Sequence, residues 1–500
     1  MKKSLDFIYK EQKEVSHFGG IASLLGWDQM TYMPQKGIRG RAEQLSLIAR
    51  LTHERMISDN LYNHIKKLDE NSRRITTKDT IVLNRLKKDV EKARKVPSEF
   101  VEKMSKTTSI AYAVWEKARK KNTYSLFAPH LEKILELEKQ YCDYIKQPGH
   151  PYNSLLDDYE EGMTVEILQK EFGILRSQLV EILKKIISSK VYQKQQPVKI
   201  KVDVDKQKEL CNILLRQLKL PSDRSRLDIS THPFTTSIGD DDVRITTNYD
   251  HKGLLSSFFS TIHEAGHAFY ELGILKEEYK DTVIADAPSL GIHESQSRFW
   301  ENMIARSKPF WIYFTPIFKK VVPETCKNMN TGTWYRSINQ VTPSFIRVEA
   351  DELTYCLHII LRFELELELL EGKINVAELP YRWNEKFTDF LGITPKTNRE
   401  GVLQDMHWSG GEFGYFPTYA IGTIYASQLF KKVSKELTTI NEKISHGNFT
   451  LILNWFSDHV YRYGRMMTAD EIIRKICGEG LNSKVFITYL KNKYYPIYEI

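Results

Sequence analysis

Apolar residues along this chain recur mainly at intervals of three and four, the spacing that lines one face of an α-helix. Leu5, Ile8, Tyr9, Val15, Phe18 and Ile21 follow it over residues 4–25, and the run from Gly26-Trp27-Asp28-Gln29 to Pro34 is expected to break that helix. A second pattern, with Leu45, Leu47, Ile48 and Leu51, extends from Arg39 to about Leu68. Periodic, charged stretches at 77–96 and 98–121 are divided at Pro97-Ser98, where Glu99 suits the positive end of a helix dipole. Further helices are expected at 125–146, 164–188 and 204–219, and the turn cluster 147–151 closes an N-terminal helical layer. The period then changes. Arg226–Thr231 and Val243–Thr247 alternate and are rich in β-branched residues, which predicts a small hairpin or sheet around His232-Pro233-Phe234 and the turn Gly239–Asp242.

Helical spacing returns from about Leu254 to Leu272, with Asp250 placed to cap and Leu255, Phe258, Phe259, Ile262, Phe269 and Tyr270 on the buried face. Beyond Pro288 a helix carries Gly291–Glu301, a long helix is expected from Ser344 to about Leu370, and residues 401–422 are aromatic and Gly-rich. The sum is a mainly α protein forming one domain over residues 1–500, with a small sheet within 225–250. Composition fits a soluble globular chain, 41% hydrophobic and 27% charged. The net charge of +8 comes from Lys and Arg interleaved with Glu and Asp, so no nucleic-acid partner is expected. No apolar run reaches membrane-spanning length. The N-terminal MKKSLDFIYKEQKEVSHF lacks a signal-like apolar core, and Cys142, Cys211, Cys326, Cys356 and Cys477 are too scattered for a disulfide framework or a thiolate metal site. A cytoplasmic location is expected.

One stretch changes the picture, His263-Glu264-Ala265-Gly266-His267. On a helix, residues four apart stand one turn above each other, so both imidazoles reach one point where a divalent metal fits. Glu264 projects beside that point and can take a proton from the attacking water. A catalytic metal of the zinc type needs a third protein ligand. A further histidine six residues on is excluded, because that position is Gly273, and Glu277 and Glu278 lie in a charged turn. Glu294, His293 and Asp286 are the candidates that spacing leaves open.

Taken together, HEAGH, the following His293-Glu294-Ser295-Gln296, His232-Pro233-Phe234, Asp242-Val243-Arg244-Ile245-Thr246, the Ile346-Arg347 to Ala350-Asp351 stretch and Gly401 to Gln404-Asp405-Met406-His407-Trp408 resemble the carboxypeptidase Taq family of metallocarboxypeptidases. The motifs run in the family's order across nearly the whole chain. The resemblance implies a helical fold similar to neurolysin and angiotensin-converting enzyme, with a deep groove and the metal at its floor. It implies release of single C-terminal amino acids from peptides with broad tolerance, a homodimer, and Glu294 as third ligand beside His263 and His267. Zinc is the expected metal and cobalt a possible substitute.

Acyl transfer also needs donors for the tetrahedral oxyanion. By analogy with neurolysin-like folds, His407 and Tyr419 have the right spacing, and Tyr415 is the competing phenol. A free C-terminal carboxylate calls for a planar, bidentate Arg. Arg347 is the first candidate and Arg244 the second, the latter also suited to ordering the sheet; His232 faces substrate backbone or the groove wall. Residues up to about 120 are expected to form a lid that admits flexible peptides. Two rival readings remain: an endopeptidase or dipeptidyl-peptidase of the same helical class, and a non-catalytic helical binding protein with a structural metal.

Overall fold

The structure is a computed structural model that describes residues 1–196, 200–249, 253–274 and 276–500. It opens with α1 (Lys2–Thr31), α2 (Ile38–Met56), α3 (Asp59–Asp69), α4 (Thr77–Arg94) and α5 (Ser98–Lys121). Helix α1 does not break at Gly26. A lone helical Gly costs only about 1 kcal/mol, and here Trp27 is buried while Arg41 of α2 donates to the Leu25 carbonyl and to Asp28 Oδ2 (2.7 Å). The second expected helix instead splits into α2 and α3. Ser58 Oγ accepts from the Leu61 amide at 3.3 Å, an N-cap that starts a new helix. Ile8, Leu61, Ile65, Leu68, Leu83, Leu86 and Val90 give α1, α3 and α4 a small core of their own. Helix α5 differs: its Ala111, Trp115 and Ala118 are buried in the main core, so the separately packed layer ends with α4 rather than near residue 120.

Helices α6 (Ala128–Ile145), α7 (Tyr152–Leu156), α8 (Val165–Ser188), α9 (Lys190–Gln193) and α10 (Val204–Leu218) lead to a three-stranded sheet. Its strands are β1 (Ser225–Ile229), β2 (Thr235–Gly239) and β3 (Asp242–Thr247), in the order β1-β3-β2. The two stretches read as strands do pair, but parallel, from Ser225 opposite Val243 to Ile229 opposite Thr247. The hairpin is made by β2, antiparallel to β3. β2 escaped the sequence pattern because it is an edge strand with no fully buried residue, hence no two-residue alternation to detect.

Next come α11 (Leu254–Gly273), α12 (Lys276–Tyr279) and α13 (Leu290–Arg298), which runs directly into a π-helical turn, Phe299–Ala305. Asp250, the expected cap of α11, lies outside the described residues; the residue before the helix is Gly253. Then follow α14 (Lys308–Val321), α15 (Pro323–Cys326), α16 (Thr331–Ile338), α17 (Tyr355–Leu370), α18 (Leu379–Leu391), α19 (Pro417–Glu436), α20 (Ile440–Ser445), α21 (Thr450–His459), α22 (Ala469–Cys477) and α23 (Ser483–Tyr498). The helix expected from Ser344 starts only at Tyr355. Asp351 is the reason: its carboxylate accepts from the amides of Thr342 (2.8 Å), Leu353 (3.0 Å) and Thr354 (2.9 Å), which folds this segment into turns. Arg347 therefore sits on a single 3₁₀ turn, Arg347–Glu349, and not on a long helix.

The protein is mainly α, with one core joining α5 to α23. Among the described residues no helix is long and apolar enough to cross a membrane. Two glycines set the position of α13. A Cβ on Gly266 of α11 would lie 2.7 Å from the Gln296 carbonyl and from Ser297 Cα, and a Cβ on Gly422 of α19 would lie 2.7 Å from Glu294 Cβ. Helix α13 is thus clamped between α11 and α19 at backbone distance, which only residues without a side chain permit.

Candidate metal centre

The start of α13 is fixed first. Ser289 Oγ accepts from the Ile292 amide (3.1 Å), and the buried Glu160 carboxylate accepts from the Gly291 amide. Burial pushes the Glu160 carboxyl up to about 8, with Ser289 and Gly291 pulling it back. Glu294, one turn further on, then faces α11. Its Oε2 lies 3.6 Å from His263 Nε2 and 3.3 Å from His267 Nε2, and the three ligand atoms fall within 4.8 Å of one another.

The partners behind each ligand decide what this cluster can hold. His263 Nδ1 meets Glu301 Oε2 at 2.9 Å, and a carboxylate only accepts, so the proton sits on Nδ1. His267 Nδ1 meets His293 Nδ1 at 2.6 Å, while His293 Nε2 meets Glu271 Oε1 at 2.8 Å. A neutral His293 that donates to Glu271 must accept from His267. Both Nε2 lone pairs then point at a carboxylate oxygen, three acceptors with no donor between them, and a divalent cation fits that set. Glu294 Oε1 accepts from Arg298 Nε (2.6 Å) and Oε2 from Ser297 Oγ (2.9 Å). Burial opposes the charge on Glu294, but Arg298 and the two histidines outweigh it and hold the carboxyl well below its ordinary range. Burial lowers His267 to about 4, so it is neutral and free to ligate.

Glu264 lies beside this cluster, buried, with the Thr235 hydroxyl of β2 2.6 Å from its Oε2. Burial raises its carboxyl, and His263 and Thr235 pull it back. The sheet therefore touches the site through Thr235. Of the other sequence candidates for third ligand, His293 stands behind His267 and not at the cation position. Asp286 accepts from the Ala287 amide (2.7 Å), and Glu277 and Glu278 are exposed.

A second group gathers on the loop before α19. His407 lies in ring contact with Tyr415 (5.3 Å), Phe416 (4.6 Å) and Tyr419 (6.4 Å). Burial first, then Arg347 and Arg362 working against Asp405, lower the imidazole to about 4. Arg347 is 6% exposed; its Nε and Nη2 each lie 3.0 Å from Asp405 Oδ1 and its Nη1 3.2 Å from Tyr355 Oη. Arg362 donates to Asp405 Oδ2 at 2.7 and 2.5 Å, so two guanidinium groups share one carboxylate. Tyr355 joins the two groups, stacked under Arg298 at 4.1 Å and bonded to Arg347.

Arg244 and His232 stand apart. Arg244 donates to Asp242 at 2.9 and 2.8 Å and lies 4.1 Å over the Trp27 ring, which ties α1 to the sheet. His232 is exposed on the bend before β2. Sequence reasoning missed Glu301, Arg298 and Thr235. Arg298 was findable, four residues after Glu294 on the same helix; Glu301 sits on a π turn and Thr235 on the unread strand.

A helical fold that buries a His-His-Glu cation site with a carboxylate beside it defines a metallopeptidase-like enzyme. Residues 7–494 match the carboxypeptidase Taq (M32) metallopeptidase family model, and the chain belongs to that family. It is 39% identical over 496 residues to carboxypeptidase 1 of Bacillus subtilis and 37% identical over 489 residues to thermostable carboxypeptidase 1 of Pyrococcus furiosus, covering 97% of each chain in both cases. Its fold matches the crystal structure of an M32 carboxypeptidase from Deinococcus radiodurans R1 with a TM-score of 0.95 at 33% identity, covering 100% of both chains. The protein is a metal-dependent carboxypeptidase.

Replacing Glu301 with Gln leaves an ambiguous partner for His263 Nδ1. Metal affinity should fall about 10- to 100-fold, read by competition with a chromogenic chelator; an unchanged affinity would show that Glu301 does not orient the ligand.

Proposed function

We propose that this enzyme releases single C-terminal amino acids from peptides with broad side-chain tolerance. The reading is carried by the convergence of His263 Nε2, His267 Nε2 and Glu294 Oε2 as three acceptors beside the buried carboxylate of Glu264. These three residues would hold one divalent ion, zinc in first place because two imidazoles and one carboxylate suit it, with cobalt able to substitute. When bound, the ion supplies Lewis acidity toward the scissile carbonyl and toward water.

The rest is the work of the chain's own groups. Glu264 takes the proton of the attacking water and later delivers it to the leaving amine. Its carboxyl is raised by burial, which strengthens it as a base. Tyr419, with Tyr415 and His407 around it, donates to the oxyanion of the tetrahedral intermediate. Arg347 binds the terminal carboxylate. Its bonds to Asp405 and Tyr355 engage three of its five N–H groups, and with Arg362 against the single Asp405 the cluster keeps one net positive charge. Arg244 and His232 shape the wall on the sheet side.

The N-terminal helices act as a lid over the groove, which the separate core of α1, α3 and α4 supports. A homodimer in the cytoplasm completes the reading, in keeping with five free thiols, of which Cys142, Cys211, Cys326 and Cys356 are buried.

One peptide, prepared with a free and with an amidated C-terminus, tests the reading. A time course by mass spectrometry should show a ladder of single-residue losses from the free form and none from the amide; equal cleavage of both would overturn exopeptidase action in favour of an endopeptidase. Glu264→Gln should retain its metal and lose about 10²- to 10⁴-fold in kcat. Comparable activity would remove Glu264 as the base.

A further inference from the structure

Glu366 on α17 is fully buried, and no step above uses it. Its Oε1 accepts from the Trp408 indole N–H at 2.7 Å; its Oε2 accepts from Tyr152 Oη at 2.5 Å and from the Gly414 amide at 3.0 Å. Trp408 directly follows His407, and Gly414 directly precedes Tyr415. One carboxylate therefore fastens both ends of the turn that presents the His407 imidazole and the Tyr415 phenol. The turn has little freedom otherwise. Gly414 has φ +85°, and a Cβ there would lie 2.8 Å from the Leu155 carbonyl carbon, so α7 backs it closely.

The chemistry of the three partners selects a group that accepts on both oxygens. An indole N–H and a backbone N–H can only donate, so the residue between them must accept on both oxygens. An amide of the same shape would turn its NH₂ toward one of these donors. Satisfying a buried tryptophan does not account for the carboxylate. Trp115, Trp300, Trp334 and Trp383 keep their indole N–H without a partner among the described residues. Burying a carboxylate costs several kcal/mol, so its place here is explained by what it holds.

We propose that Glu366 is a positioning residue for catalysis, setting the loop that carries His407 and Tyr415 through its bonds to Trp408 and Gly414. The inference rests on the role given above to those two residues. Burial raises the Glu366 carboxyl to about 7, with the Tyr152, Trp408 and Gly414 bonds and the Arg362 charge pulling it down. The other titratable neighbours are Tyr159 and, on α6, the buried Glu138.

The test is a cycle of Glu366→Gln, His407→Ala and the double variant, each with its metal content measured, on a peptide with a free C-terminus. Glu366→Gln should keep wild-type metal content and lower kcat by about 10- to 100-fold, with KM changed less than about twofold. In the His407→Ala background the same substitution should cost less than it does alone, the remainder being what passes through Tyr415. Wild-type kcat in Glu366→Gln, or an undiminished loss in the double variant, would overturn the proposal. Hydrogen–deuterium exchange gives a readout independent of activity. Glu366→Gln should speed exchange over residues 407–416 and leave the metal helices unchanged; unaltered exchange in the loop would equally overturn it. If wild-type protein releases no amino acid, the functional reading fails and the exchange result still decides the role of Glu366. If Glu366→Gln does not fold, Trp408→Phe removes one donor and carries the same cycle. It should give a smaller loss of the same kind, and wild-type kcat together with unchanged loop exchange would overturn the proposal.

Discussion

The contact on which the site depends is between backbones. Helix α13 is pressed against α11 at Gly266 and against α19 at Gly422, and at both points a methyl group would fall 2.7 Å from a neighbouring atom. That clamp puts Glu294 within 3.6 Å of one imidazole and 3.3 Å of the other. It also brings α19, with Tyr419 one turn before Gly422, up against α13. The middle Gly of HEAGH is thus a packing requirement. Its neighbours His263 and His267 carry two of the three candidate ligand atoms, and Gly266 sets their distance from Glu294 on α13.

Around the clamp, charge is neutralised in layers. Glu301 backs His263 and is itself held by Arg306 at 3.0 Å; Arg298 holds Glu294 at 2.6 Å; Glu271 backs His293, which backs His267. Removing a charged member such as Arg298 would leave an uncompensated buried charge on Glu294, which costs more than the pair gains. The same logic governs the second group, where Asp405 lies between Arg347 and Arg362 and Glu366 lies among three donors. The two groups meet at Tyr355, so the cation cluster and the Arg347–Asp405 cluster share one packed frame.

Much of this was legible in the sequence, for identifiable reasons. The i, i+4 histidines with the intervening Glu define a point in space by helical geometry alone, and the family motifs placed Glu294 there. Helical periodicity located most long helices because each buries one face. It failed where side-chain capping overrides periodicity, at Ser58 between α2 and α3 and at Asp351 before α17. It failed again at β2, whose residues are only partly buried yet whose Thr235 reaches Glu264. The partners Glu301, His293 and Glu366 gave no local signal as partners. Their roles arise from contacts between segments far apart in the chain, which spacing cannot encode.

The central claim is that two imidazoles and one carboxylate, with tautomers fixed from behind, form the cation site. X-ray absorption spectroscopy on the zinc-loaded protein tests this most directly. The account predicts a first shell of nitrogen and oxygen at about 2.0–2.2 Å, with multiple scattering from two imidazoles. A third imidazole, which would make His293 a ligand, or a sulfur shell at about 2.3 Å would contradict it.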